Sequence, residues 1–270
     1  SGWGLAKQTI SPLLGEAASP ELRELIVDYI DESENEVHRA LRLCREKKPQ
    51  GILFLGGNQE HFQESFHRIH VPCVLVTSTA EGLPFPNLSS VTADDTLAAK
   101  MAVDYLETAG HRNIAVVGGH RTYSEITRLR YQGCLEAFRE HGIPFTEEEQ
   151  YETARYTYED CYRAAKALLE RNPRLTALFA MSDVMAIGAM RALQEAGLRV
   201  PEDVSVMGVD GLPLCAFLTP QLSGVCQSIR GIALRSVEIL LDAVENGMTA
   251  RHETVPFQVQ QRESIRAISK

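Results

Sequence analysis

Three polar residues lie at the ends of short strand-like runs. Asp94 follows SSVTA, Ser182 follows TALFAM, and Asp210 ends VSVMGV. In open α/β sheets, ligands bind beyond the carboxyl ends of the strands. Carboxylates and hydroxyls at these positions could exchange hydrogen bonds with a small polar molecule. Asp94 and Ser182 also stand where a helix needs an N-terminal cap, and capping alone could account for them.

Other kinds of functional site lack the residues they require. The sequence has no dinucleotide-binding, P-loop or hydrolase-nucleophile motif, so it predicts no cofactor and no catalytic group. His61, His67 and His70 have intervals like those of metal ligands, but the segment HFQESFHRIH is better explained as the solvated face of a helix. We therefore expect neither a metal site nor an enzyme.

Short β-branched runs alternate with helical segments along the chain, a rhythm typical of βαβ units around a parallel sheet. Most of the runs are almost continuously apolar, as strands covered on both faces should be. The sequence therefore predicts an α/β fold. The predicted strands are Glu24–Ile30, Gly51–Leu55, Cys73–Thr77, Asn113–Val117, Ala177–Ala180, Val204–Val209 and Thr254–Gln260.

The segments between these strands place apolar residues at intervals of three and four, which predicts amphipathic helices. Asp95 and Asp183 are expected to cap two of them. A helical segment at Gly4–Ala18 has no strand before it, so we expect the chain to begin inside a domain. The other predicted helices are Glu34–Lys47, Asp95–Ala109, Glu125–His141, Tyr158–Arg171, Asp183–Ala196 and Ile229–Asn246.

The composition limits the possible partners and the compartment. Acidic residues outnumber basic residues by 36 to 27, which gives a net charge of −9 and a field that repels polyanions such as DNA. No apolar run is long enough to cross a membrane, and no signal sequence is recognisable at the N-terminus. The six cysteines are widely spaced and are expected to be free thiols in a reducing cytosol, so we predict a cytoplasmic protein.

Four segments in order resemble the lactose-repressor family of bacterial transcription regulators. The first is AVDYLETAGHRNIAVVGG at Ala102–Gly119, where a helix ends in Gly-His-basic and the next strand runs into Gly-Gly. The second is RLRYQGCLEAFREHGIP at Arg128–Pro144, the third is the long block Leu178–Ile229, and the fourth is QQRESI at Gln260–Ile265. The resemblance is strong over the last two thirds of the chain, whereas residues 1–90 match in layout.

The resemblance implies two similar doubly wound parallel-sheet lobes, like those of periplasmic binding proteins, joined by three crossovers. The N-terminal lobe would comprise residues 1–109 and 229–252, and the C-terminal lobe residues 110–228 and 253–270. A small polar effector, expected to be a sugar or a sugar derivative, would bind between the lobes of a homodimer. Operator DNA would be bound only through a helix-turn-helix domain outside this chain.

The resemblance also indicates which side chains contact the effector. It places Arg130, with its rigid fork of donors, against the ligand, although a helix-surface arginine like Arg128 is the alternative. Ser124 lies in the same segment and could equally be a turn or cap residue. Tyr156 would stack on the ligand, unless it is simply a half-buried strand tyrosine.

Three further positions complete the predicted site. Asp210 would accept two hydroxyl donors of a sugar. Gln227 lies near a crossing strand, where its neighbours Cys226 and Ser228 depart from the family pattern. Ser182 stands where relatives often have asparagine, and this difference leaves the identity of the ligand open.

The predicted function is effector sensing by a transcriptional repressor that transmits ligand binding to operator affinity. A solute-binding protein of a sugar transporter would share the fold and the ligand site, and it is the alternative. The Gly-His-Arg-Asn and Arg-Glu-Ser signatures and the free cysteines favour the repressor.

Overall fold

The structure is a computed structural model that describes residues 25–30, 34–121, 124–247 and 249–268. The predicted helical segment at Gly4–Ala18 lies outside these residues. The chain forms two compact units: one contains Asp94–Gln227 and the segment from Pro256 onwards, and the other contains the described residues up to Ala93 together with Ser228–Val255. Along the described residues the chain therefore passes three times from one unit to the other.

The four-stranded unit is built on a parallel sheet with the order β1-β2-β3-β9. A cluster of aromatic rings fills its core, in which Phe62 contacts Phe54 and Phe66 at centroid distances of 5.1 and 5.5 Å. The strands are β1 (Ile52–Leu55), β2 (Cys73–Val76), β3 (Leu88–Ala93) and β9 (His252–Val255). The helices are α1 (Glu36–Lys47), α2 (Gln59–Ser65), which continues into a 3-10 turn at Phe66–Arg68, and α8 (Ile229–Asn246).

The six-stranded unit has the strand order β10-β8-β7-β6-β4-β5, in which all neighbours are parallel except β10 and β8. Every residue of β4, β6 and β7 is buried, which explains their continuous apolar runs. The strands are β4 (Ile114–Gly118), β5 (Tyr151–Thr153), β6 (Ala177–Ala180), β7 (Ser205–Asp210), β8 (Ser223–Gln227) and β10 (Phe257–Gln260). The helices are α3 (Asp95–Thr108), α4 (Glu125–Glu140), α5 (Glu147–Gln150), α6 (Tyr158–Arg171) and α7 (Asp183–Glu195), with a 3-10 turn at Pro213–Phe217.

Helices α3 and α4 pack so closely that only glycine fits at their crossing. A Cβ atom on Gly133 of α4 would lie 2.1 Å from the backbone oxygen of Thr96 in α3. This packing places α3 in the six-stranded unit, whereas the predicted lobe boundary put residues 95–109 with the N-terminal lobe. The close approach also brings the first turn of α3 next to the middle of α4.

Two of the predicted strands differ from the structure. Residues 25–30 form no strand; the side chains of Leu25, Ile26 and Val27 are about half exposed and lack the burial that would stabilise a sheet strand. The segment Thr254–Gln260 forms two strands, one in each unit, because Pro256 interrupts it. Proline has no N–H to donate to a ladder and its φ angle is fixed, so it breaks a continuous strand.

All six predicted helices of the described residues are confirmed, with ends that differ by at most two residues. The caps lie one residue earlier than expected for two of them: Asp94 and Ser182 cap α3 and α7, whereas Asp95 and Asp183 are the first helical residues. No helix among the described residues is long and apolar enough to span a membrane. Each of the six cysteines is a free thiol.

Candidate functional site

The seven predicted site residues all lie in the six-stranded unit, most of them at the carboxyl edge of its sheet. Asp210 ends β7, Gln227 ends β8, and Ser182 follows β6. These three strands are neighbours in the sheet, so their carboxyl ends lie side by side. Asp210 and Gln227 are in direct contact, with the Gln227 Nε2 amide donating to Asp210 Oδ1 at 3.2 Å.

Arg130 of α4 is the centre of this cluster and has a side chain that is only 5% exposed. Its Nε donates to Asp95 Oδ1 at 2.7 Å, its Nη2 approaches Asp210 Oδ1 at 3.4 Å, and its Nη1 donates to the backbone oxygen of Met181. Arg130 is therefore buried, whereas Arg128 lies on the surface. It joins the first turn of α3 to the ends of β6 and β7.

The electrostatics of the cluster follow from one buried cation between two buried carboxylates. Burial by itself lowers the pKa of Arg130, but Asp95 and Asp210 outweigh this effect and hold the guanidinium pKa above its usual value. Burial raises the pKa of Asp95 despite its contact with Arg130. Burial also raises the pKa of Asp210 to about 7, with Arg130 opposing the rise and Asp183 and Asp95 adding to it.

Tyr156 lies in the loop after β5 and is linked to α4 through Thr127. The Tyr156 and Thr127 hydroxyls are 2.8 Å apart, one turn before Arg130. A Cβ atom on Gly119, just after β4, would lie 2.5 Å from Thr127 Oγ1 and 2.8 Å from the Tyr156 ring. The absence of a side chain at Gly119 is thus what allows the tyrosine to reach the helix.

The other three predicted residues cap helices. Capping was the alternative explanation for each of them in the sequence analysis. Asp94 accepts the Leu97 N–H at 2.9 Å, Ser124 accepts the Thr127 N–H at 3.2 Å, and Ser182 accepts the Met185 N–H at 3.2 Å. Each cap fixes the helix start next to a residue of the cluster. Their contact with a ligand remains a prediction.

Two aspartates belong to the site but were not among the site residues predicted from the sequence. Asp95 and Asp183 were expected only to cap helices, but both are buried, and each bonds to a different part of the site. Asp95 holds Arg130, whereas Asp183 Oδ2 accepts the backbone N–H groups of Gly211 and Leu212 at 2.8 and 2.7 Å. The acidic residue after each helix cap was visible in the sequence, but its partners lie 28 or more residues away along the chain.

Asp183 secures a strained loop. Asp210 has a φ angle of 120°, a conformation that an L-residue other than glycine rarely adopts, and Gly211 follows with a φ angle of 83°. The two hydrogen bonds from Asp183 lie immediately after this point. They hold the backbone in the conformation that turns the Asp210 carboxylate towards Arg130.

We expect Asp183→Ala to lower the free energy of unfolding by about 2–4 kcal/mol, because it leaves two N–H groups without an acceptor. Asp183→Asn should lose much less, since its amide oxygen can accept the same two N–H groups. Urea denaturation of both variants measures the difference. Equal losses in the two variants would contradict the anchoring role.

A pH effect follows from the raised pKa of Asp210. The folded state holds this proton more tightly than the unfolded state, whose aspartate pKa is about 3.9, so the stabilising contribution is complete below that value. It is lost as the pH rises through about 7. Plotted against pH, the free energy of unfolding of the wild type should therefore fall relative to Asp210→Asn between about 4 and about 7. Parallel curves for the two proteins, measured by urea denaturation, would contradict the assignment.

The comparison with protein families matches residues 103–265 to the periplasmic binding protein-like domain. Catabolite control protein A of Priestia megaterium is 32% identical over 80% of this chain, and the match covers 64% of that protein. The HTH-type transcriptional regulator MalR of Clostridium butyricum is 30% identical over 85% of this chain and 68% of that protein. The chain thus spans about two thirds of the length of these relatives, and slightly less in the case of catabolite control protein A.

One of the similar solved structures is also that of a transcriptional regulator. The complex of the transcriptional regulator CelR with cellobiose has a TM-score of 0.75 and 26% sequence identity, covering 86% of this chain and 71% of that one. Its match extends over both units of the fold described above. The chain belongs to the periplasmic binding protein-like domain family, as a member of the lactose-repressor family of transcriptional regulators.

Proposed function

We propose that this chain is the effector-sensing part of a bacterial transcriptional repressor and that it binds a sugar at the cluster around Arg130. The observation that carries the proposal is the contact of Arg130 with Asp95 and Asp210 at the carboxyl ends of the strands. Buried charged groups on rigid elements are the kind of arrangement that orients a polar ligand. The cellobiose bound by the related regulator is consistent with a sugar as the effector.

The proposed signal is a change in operator affinity. Ligand binding and operator binding are linked thermodynamically, and a coupling of roughly 1–3 kcal/mol would be ordinary for such a regulator. DNA contact is assigned to a helix-turn-helix domain outside this chain, since the chain itself has a net charge of −9. The cytoplasm is the proposed location, because operator DNA and free thiols both belong there.

A homodimer is the proposed form of the protein. In the 3-10 turn Pro213–Phe217, the side chains of Leu214 and Phe217 are 45% and 83% exposed, and neighbouring exposed apolar residues favour a protein contact. Sedimentation equilibrium of the wild type and of Phe217→Asp tests this proposal. A monomeric wild type would overturn it.

The relatives reported above favour this function over a solute-binding protein of a transporter and over an enzyme. They are transcriptional regulators rather than enzymes or transporter components. The sequence signatures that distinguish the repressor from a transporter protein thus agree with the comparisons.

A thermal-shift screen with a broad set of sugars, followed by titration calorimetry, tests ligand binding. A ligand at 100 times its dissociation constant should stabilise the protein by about 2.7 kcal/mol. The ligand found in this way should then change the operator affinity of the full-length regulator. If no sugar raises the melting temperature, or if the ligand leaves operator affinity unchanged, the proposal is wrong.

A further inference from the structure

Three of the five N–H donors of Arg130 are committed to protein oxygens. Each of its three guanidinium nitrogens has a protein acceptor: Asp95 for Nε, the Met181 carbonyl for Nη1 and Asp210 for Nη2. A ligand phosphate or carboxylate would normally be bound through the paired donors of such a fork. Here the Nε atom on one side of the fork already donates to Asp95 Oδ1 at 2.7 Å.

Above about pH 7, where Asp210 is ionised, the cluster carries more negative than positive charge. Asp95 and Asp210 both contact the single guanidinium of Arg130. Two more carboxylates act on this pair electrostatically, Asp94 on Asp95 and Asp183 on Asp210. An anionic ligand would therefore enter a region whose charge already repels it.

The Asp210 carboxylate keeps capacity to accept hydrogen bonds. Both of its contacts with side chains described above fall on Oδ1 and are long, at 3.4 Å from Arg130 and 3.2 Å from Gln227. The side chain is 13% exposed, so Asp210 is slightly more exposed than Arg130, whose side chain is 5% exposed. A carboxylate only accepts hydrogen bonds, so the matching ligand group is a hydroxyl or an ammonium donor.

We propose that this site selects by charge: it binds uncharged sugars or amino sugars through Asp210 and excludes their phosphorylated and carboxylated counterparts. This inference rests on the proposed function, because it concerns the ligand class of the same site. Asp95 is the specificity-determining residue. It occupies the edge of Arg130 that an anionic ligand would otherwise take.

The test is titration calorimetry of the whole chain with matched sugars, at a pH above the Asp210 pKa of about 7. The neutral probes are ribose, glucose and cellobiose, the cationic probe is glucosamine, and the anionic probes are ribose 5-phosphate, glucose 6-phosphate and glucuronic acid. Each anionic probe should bind at least about tenfold more weakly than its neutral counterpart, because like charges placed together in a site are unfavourable. An anionic probe that binds as tightly as its neutral counterpart would overturn the inference but leave the proposed function intact.

Asp95→Asn provides a gain of binding that a merely structural role would not produce. It removes one negative charge but keeps an acceptor for Arg130, so the ratio of anionic to neutral affinity should rise by about tenfold. Asp104→Asn makes the same charge change on the same helix, where Asp104 contacts Lys100 and His141 instead of the cluster, and it should leave the ratio unchanged. An unchanged ratio in Asp95→Asn would contradict the role of Asp95. If none of the probes binds, this inference fails, whereas the broad thermal-shift screen decides the proposed function.

Discussion

Arg130→Ala is expected to abolish the stabilisation of the protein by its ligand and to lower the free energy of unfolding by about 3–5 kcal/mol. The large loss of stability follows from burial, because removal of the guanidinium leaves Asp95 and Asp210 without their cation. An unpaired buried carboxylate must either remain charged in a poorly hydrated place or take up a proton. Chemical denaturation measures the stability, and titration calorimetry measures the binding.

Arg128→Ala is the matched control for this substitution. Arg128 lies two residues earlier on α4, is exposed, and pairs only weakly with Glu125 at 3.4 Å. Its removal should change the free energy of unfolding by no more than about 0.5 kcal/mol and leave binding unaffected. Equal effects of the two substitutions would contradict the central role of Arg130.

A triple variant separates the loss of binding from the loss of folding. Arg130→Met combined with Asp95→Asn and Asp210→Asn removes the cation and both carboxylates together, so no buried charge is left unpaired. This variant should regain much of the stability lost in Arg130→Ala, since a buried ion cluster can be replaced by neutral side chains of similar volume. It should still fail to bind the ligand, which would show that the charged cluster serves recognition as well as stability.

Gly133→Ala is expected to destabilise the protein by about 3 kcal/mol, although alanine is ordinarily the better helix residue by about 1 kcal/mol. The new Cβ would lie 2.1 Å from the Thr96 oxygen and 3.1 Å from the Lys100 nitrogen, and both are backbone atoms that cannot rotate away. Helices α3 and α4 would have to separate. Because α3 carries Asp95 and α4 carries Arg130, ligand affinity should fall together with stability.

Gln132→Ala is the control for the helix crossing, because Gln132 is exposed on α4 and its side chain donates to Glu136 on the same helix. It should stay within about 0.5 kcal/mol of the wild type in urea denaturation. A Gly133→Ala variant as stable as the wild type would show that the two helices can shift without cost. In that case the contact of Asp95 with Arg130 would not depend on the close crossing of the two helices.

The fold could be predicted from local patterns because each element carries its own signals. Helix α6, for example, has apolar residues at helical intervals, starts after the capping residue Thr157 and ends at Arg171, as predicted. The buried strands β6 and β7 are continuous apolar runs because both faces of the sheet are covered. The run at 25–30 has the composition of a strand but forms none in the structure, since composition does not specify a partner strand.

The site was predicted only in part. Arg130, Asp210 and Gln227 were selected from the sequence and lie in one cluster in the structure. Asp95 was assigned to a helix cap, because an aspartate at a helix start has a sufficient local explanation. Its contact with Arg130 spans 35 residues and depends on the helix crossing at Gly133, which no local pattern reveals.

Neighbouring residues and short motifs are enough to predict the alternation of strands and helices, the polar residues at strand ends and the family. Which charges neutralise one another depends on how distant segments pack in the folded chain. Arg130 has five N–H donors, and in the folded chain three of them donate to Asp95, Asp210 and Met181. The physical reason is that the energy of a charge is set by its burial and by its neighbours in space, and both are properties of the packed fold.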